Sequence, residues 1–190
     1  MLGKFAASVV FALGLTLMGG PQANAKDSKE EQRAEVRKTS QQILNQLYKV
    51  SPSAKGAVSS AAGYAVFSNF GMKILFAGGG AGSGIAVNNA TRKEVFMKMV
   101  EVQAGLGLGV KKFRVVFIFE TEAALNGFVS SGWEFGGQAT MAATDGKSGA
   151  SYQGAASVMP GVWMYQLTDK GLAAEFTGKG TKYYKNDDLN

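Results

Sequence analysis

Residues 103–119 read Gln-Ala-Gly-Leu-Gly-Leu-Gly-Val-Lys-Lys-Phe-Arg-Val-Val-Phe-Ile-Phe, and the fold class turns on how this stretch is read. Its second half, Arg114–Phe119, is apolar at successive positions. A strand alternates its faces, so such a run belongs to a central strand covered on both sides. Its first half, Gln103–Val110, sets Gly105, Gly107 and Gly109 on one face and Leu106, Leu108 and Val110 on the other. A strand face without side chains lets another backbone approach or lets the sheet bend sharply. Phe135–Ala143 likewise mixes Gly and Ala with larger residues. The expectation is a strongly curved, barrel-like antiparallel sheet.

Upstream, residues 27–50 are charged and free of Gly. Val36, Ile43, Leu44, Leu47 and Val50 fall on one face at helical spacing, and Ser28 followed by Glu31 resembles a capping box. Pro52 stops this helix; a second covers Ser53–Ala62 and ends at Gly63. Extended segments are predicted at Tyr64–Phe67, Met72–Ala77, Gly84–Val87, Val95–Val100, Gln103–Val110 and Arg114–Phe119. A helix capped by Thr121 runs to Ser130. Strands return at Trp133–Thr144, Gly161–Leu167, Gly171–Thr177 and Lys179–Tyr184, with a turn or loop at Thr144–Gln153. The class is α+β, with N-terminal helices and one mid-chain helix packed on the curved sheet.

The amino terminus reads as an export signal. Lys4 supplies a positive start, Phe5–Met18 is apolar, Gly19-Gly20-Pro21 breaks the run, and Ala23-Asn24-Ala25 offers a small-x-small cleavage site. The apolar run falls short of the roughly 20 residues a membrane span needs. Residues 1–25 are therefore expected to be removed, leaving 190 − 25 = 165 residues. Residues 26–190 suit one domain, with a helical segment at 26–52 and a core at 53–190. Removing Lys4 takes the formal charge from +6 to +5. A modestly basic exported chain invites anionic partners such as phospholipid headgroups or envelope glycans.

Composition also excludes chemistry. With no His and no Cys there is no His-dependent triad, no thiol nucleophile and no ordinary zinc or haem site. No metal, cofactor or nucleic-acid partner is expected. Gly78–Gly84 fails as a nucleotide loop because Ser83 stands where a third Gly is needed and strand residues follow. Asp145-Gly146-Lys147-Ser148 lacks the earlier Gly of a phosphate loop, and Ala150 spoils a nucleophile elbow at Ser148. Glu120 and Glu122 are better explained as solvated residues at a strand-to-helix junction than as an acid–base pair. Two basic clusters remain. Lys111, Lys112, Phe113 and Arg114 are placed at a turn between strands, and Lys179, Lys182 and Lys185 surround Tyr183-Tyr184. Each reads either as a solvated turn or edge that resists aggregation, or as an anionic-surface contact with rings at headgroup level. The first helix carries five basic and four acidic side chains over residues 26–38, a balance that favours docking on its own sheet.

Several segments in order resemble one family. Ala61-Ala62-Gly63-Tyr64-Ala65-Val66-Phe67 is similar to the opening "AKGxAxF" of the SYLF domain, a lipid-binding module shared with yeast cortical actin-patch proteins. Gly78–Gly84 followed by Ile85-Ala86-Val87 resembles its Gly-rich turn and strand. Val102–Gly107 and Val115–Phe119 resemble its "GLQxG…DVVLV" region, with Leu125 and Phe128 in the helix that follows. Tyr165 and Gly171–Gly178 resemble its closing "YS..KGLFAGxxxxG". The resemblance spans about Ser53 to Gly180. Ser68 departs from a frequent Pro, and Lys111-Lys112 from the usual "AQ".

The resemblance implies binding of membrane phospholipids, phosphoinositides in eukaryotic members, and no catalysis. Those members work in the cytosol beside actin, so actin binding is not expected of an exported chain. The resulting expectation is a non-enzymatic, periplasmic protein that contacts anionic phospholipid. The rival is a structural or interaction protein of the cell envelope holding a protein or glycan partner.

Overall fold

The computed structural model describes residues 25–74, 77–104, 109–135, 140–142, 152–173, 175–177 and 180–190. The proposed signal at 1–25 (all but Ala25), Gly105, Gly107, Lys179 and most of the Thr144–Gln153 loop lie outside them.

Helix α1 (Ala25–Val50) begins three residues before Ser28, so Ser28 and Glu31 sit inside the helix and form no capping box. Ile43, Leu44 and Leu47 are buried as the spacing predicts, and Val36 packs on a smaller cluster. Val50, expected on the same face, is 44% exposed where the helix ends. Pro52 then starts α2 (Ser53–Ser60) with φ −58°, the value its ring imposes.

Among the described residues eleven strands follow, with α3 between the fourth and fifth. They are β1 (Gly63–Ile74), β2 (Ala77–Asn88), β3 (Glu94–Ala104) and β4 (Gly109–Phe119), then α3 (Glu122–Ser131). After it come β5 (Trp133–Phe135), β6 (Thr140–Ala142), β7 (Ala156–Met159), β8 (Val162–Thr168), β9 (Gly171–Leu172), β10 (Glu175–Thr177) and β11 (Thr181–Lys185). Tyr64–Phe67 and Met72–Ala77 were expected as two strands; β1 joins the first to Met72–Ile74, residues 75–76 lie outside the described residues, and Ala77 opens β2. β7 has no counterpart in the sequence reading. The main sheet is antiparallel in the order β5-β11-β3-β2-β1-β4-β8-β7, with β9 on β8; β6 and β10 pair separately.

The sheet curls hard. Three strands separate β4 from β11, which puts them roughly 19 Å apart along the sheet at about 4.8 Å per strand. Yet the rings of Phe117 on β4 and Tyr183 on β11 are 5.1 Å apart, edge to face. The cause lies on β2. Gly84 pairs with Phe67, whose side chain belongs to the inner core, so positions 78, 80, 82 and 84 of β2 share the concave face. All four are glycine. A bare face was expected at Gln103–Val110, of which residues 105–108 lie outside the described residues. That segment is not one strand, since β3 ends at Ala104 and β4 begins at Gly109.

Helix α3 fills the concave side. Thr121 caps it as expected, its Oγ1 accepting from the Ala124 N–H at 3.3 Å. Gly132 ends it at φ +67°, against the Tyr183 carbonyl, where a β-carbon would collide. Phe128 sits among Phe67, Phe117, Phe119, Trp133 and Tyr183. On the convex face α1 and α2 cover Val66, Val116, Ile118, Tyr165 and Leu167. Val115–Phe119 are all at most 5% exposed, as a doubly covered central strand requires.

Candidate functional site

Lys111–Arg114 do not form a turn. They are strand residues of β4, paired with Gly71, Phe70, Asn69 and Ser68 of β1. β8 pairs along β4 with Arg114–Phe119, so the outer edge of Gly109–Phe113 has no strand neighbour among the described residues. Strand alternation also divides the cluster. Positions 112 and 114 share the convex face with Val116, and positions 111 and 113 share the concave face with Val115.

Register then joins what the sequence kept apart. Lys112 pairs with Phe70, Phe70 with Ala81, Ala81 with Val100, Val100 with Lys182, and Lys182 with Glu134. One row across the convex face thus holds Lys112 from the first basic cluster and Lys182 from the second. The next row contains Arg114, Ser68, Ser83, Lys98 and Tyr184. At the β11 end of these rows lies a groove of about 620 Å³, lined by Val100, Ser131, Glu134, Gly180, Lys182 and Tyr184. Val100 is 37% exposed, Lys182 is exposed and Tyr184 is half-buried. An exposed aliphatic, a tyrosine and a lysine on one face make an amphipathic surface suited to a headgroup boundary.

The charges around it are largely matched. Arg114 Nη1 donates to Asp169 Oδ1 at 3.1 Å, and Lys98 Nζ to Asp188 Oδ2 at 2.7 Å. The Asp188 carboxylate raises the Lys98 pKa and is itself held below the ordinary aspartate value by that lysine. Lys185 lies 3.8 Å from Asp187, at the far end of β11 from Lys182. Such exposed pairs add little to stability, because solvent screens them. Lys98 was missed in the sequence reading; only strand register places it beside Tyr184.

The two carboxylates weighed as an acid–base pair have separate partners. Glu120 Oε1 accepts from Trp163 Nε1 at 3.0 Å, and Glu122 Oε1 from Asn88 Nδ2 at 3.3 Å. No helix among the described residues is long and apolar enough to cross a membrane.

Comparison with known proteins gives two matches. The chain is 33% identical over 166 residues to Beta cell expansion factor A of Aeromonas veronii, an alignment covering 87% of this chain. It spans 61% of that relative's length. Residues 100–190 match a family model described as Ysc84, Las17-binding protein actin regulator. The C-terminal half of the chain thus matches the SYLF (Ysc84) family. The match starts at Val100, so it takes in β4, α3, β11 and the groove. The SYLF match marks a lipid- or actin-patch-related module, and the family is of a binding type, not a known enzyme family.

Proposed function

We propose that this chain is an exported, non-catalytic phospholipid-binding protein of the bacterial periplasm, and that its convex sheet face meets anionic membrane surfaces. The observation that carries the reading is the row from Lys112 through Ala81 and Val100 to Lys182, beside a groove holding Tyr184. The SYLF match supports a lipid partner. In this reading Val100 of the row and Tyr184 of the next row enter the headgroup layer, and the lysines meet phosphates. Export rests on the Lys4–Ala25 pattern, and it separates this chain from the actin regulation named in the family description.

Co-sedimentation with phosphatidylglycerol and phosphatidylcholine vesicles tests the lipid reading. Retention by the first, lost in high salt, supports it; retention by neither rejects it. Fractionation of the native host, with intact-mass analysis, tests export: the expected first residue is Lys26.

One observation favours the rival envelope-interaction reading. The outer edge of β4 over Gly109–Phe113, which has no strand neighbour among the described residues, would accept an added strand from a protein partner. Binding to a soluble envelope protein without vesicle binding would favour that role.

A further inference from the structure

A second groove, of about 550 Å³, lies between α1, the turn joining β2 to β3, and the C-terminal turn. It shares only Lys185 with the residues singled out above. Five cationic side chains line it, Arg33, Arg37, Arg92, Lys93 and Lys185, against the carboxylates of Glu30 and Glu94. We propose that this groove is a binding site for a phosphate-bearing anion. It goes beyond the membrane reading and does not depend on the convex row.

The arginines of α1 are held in place before any ligand arrives. Arg37 Nε donates to Glu94 at 2.8 Å and its Nη1 to Glu30 at 3.1 Å, and the guanidinium lies 5.1 Å over the Phe96 ring. Arg33 Nε donates to the Leu189 carbonyl at 2.8 Å and its Nη1 to Glu30 at 3.1 Å. These bonds engage both carboxylates and leave each Nη2 without a hydrogen bond among the described residues. A planar guanidinium fixed on one side and open on the other presents donors suited to phosphate oxygens.

The turn supplies the remaining charge. Arg92 is the one non-glycine residue at positive φ, +60°, among the described residues. Its N–H donates to the Asn88 carbonyl at 2.9 Å, and Thr91 N–H to Asn88 Oδ1 at 2.9 Å. The Lys93 carbonyl accepts from Asn88 N–H at 3.0 Å, so the turn is closed by its own bonds. A left-handed arginine is a conformation the local chain does not favour, and such outliers collect where a side chain is being aimed. Here it sets Arg92 beside Lys93, and neither makes an ion pair among the described residues. Lys185 is only loosely engaged, 3.8 Å from Asp187. The surplus of positive charge is therefore on the turn, and the fixed guanidiniums face it across the groove.

The shared chemistry is a phosphate ester, whose source is either a soluble molecule or a phospholipid headgroup. The test compares wild type with an Arg92→Gly/Lys93→Gln variant. Glycine takes φ +60° freely, so the variant should melt no lower than wild type, which checks its fold. Three probes are used: inorganic phosphate and glycerol 3-phosphate by calorimetry, and phosphatidylglycerol vesicles by co-sedimentation. Saturable binding of a soluble probe, weakened about tenfold or more in the variant by loss of two charged donors, supports the site and a soluble ligand. Vesicle binding alone, weakened equally in the variant, supports the site and a lipid headgroup. Binding of no probe, or equal binding by both proteins, overturns the proposal. A Lys112→Glu/Lys182→Glu variant that loses vesicles but keeps soluble phosphate separates failure of the convex row from failure of this groove.

Discussion

The Phe67 ring of β1 occupies the space that a β-carbon on Gly84 of β2 would require, and the Val66 carbonyl closes the same space from the backbone side. The two residues are register partners at the start of the bare concave face. Phe67 in turn touches Tyr183 at 4.8 Å and Phe128 at 6.0 Å, so this contact links the bend of the sheet to the helix that fills it.

Substitution of Gly84 by Ala should therefore destabilise the fold by roughly 1–3 kcal/mol or more, the usual range for overpacking a filled core. Thermal melts check this. Phe67→Leu should soften the effect in a double-mutant cycle, because a smaller side chain vacates part of the contested space.

Loss of the α3 cap is a milder change. Thr121→Ala removes the oxygen that receives the Ala124 N–H and should cost about 1 kcal/mol, while Thr121→Ser retains most of it. Chemical denaturation of the three proteins measures the difference.

Tyr165 makes stability depend on alkaline pH. Burial pushes its phenol up to about 12, against the opposing effect of a hydrogen bond with Ser51, whereas an unfolded tyrosine titrates near 10. Between these values the unfolded chain has released the proton that the folded chain retains. Stability therefore falls as pH rises from about 10 to about 12, by up to roughly 1.4 kcal/mol per unit for this group. Tyr165→Phe should flatten that decline without abolishing it, since Tyr152 is also raised to about 12 by burial and by Glu120. Urea titrations of both proteins at stepped pH give the comparison.

What the sequence made legible was local. Val115–Phe119 announced a covered strand because apolar residues stood at every position, and Thr121 announced a helix start by its side-chain chemistry. The curl was legible in kind, and the described residues add the glycines of β2 to it. Gly78–Gly84 alternates with small residues, and only pairing with Phe67 shows that its glycines at 78, 80, 82 and 84 face inward; residues 105–108 of the other run lie outside the described residues. Lys111–Arg114 looked like a turn because charge usually marks a chain reversal. In the sheet they extend β4 past the end of β8, along an edge with no strand neighbour among the described residues. The row joining Lys112 to Lys182 was not legible, because it depends on register across β1, β2, β3 and β11. The Arg92 groove was hidden for a similar reason: α1, a turn and the chain end meet only in three dimensions.

The central claim is that one face of the sheet, the convex one, meets anionic membranes. Co-sedimentation with phosphatidylglycerol vesicles at low ionic strength, using Lys112→Glu/Lys182→Glu beside Lys111→Glu, tests it most directly once circular dichroism shows that all three proteins fold. Each basic side chain at an anionic surface contributes on the order of 1 kcal/mol. The double variant should bind roughly thirtyfold more weakly than wild type, at about 1.4 kcal/mol per tenfold, and Lys111→Glu should bind almost as well as wild type. Equal binding by the double variant and wild type, or a larger loss from Lys111→Glu alone, would contradict the account.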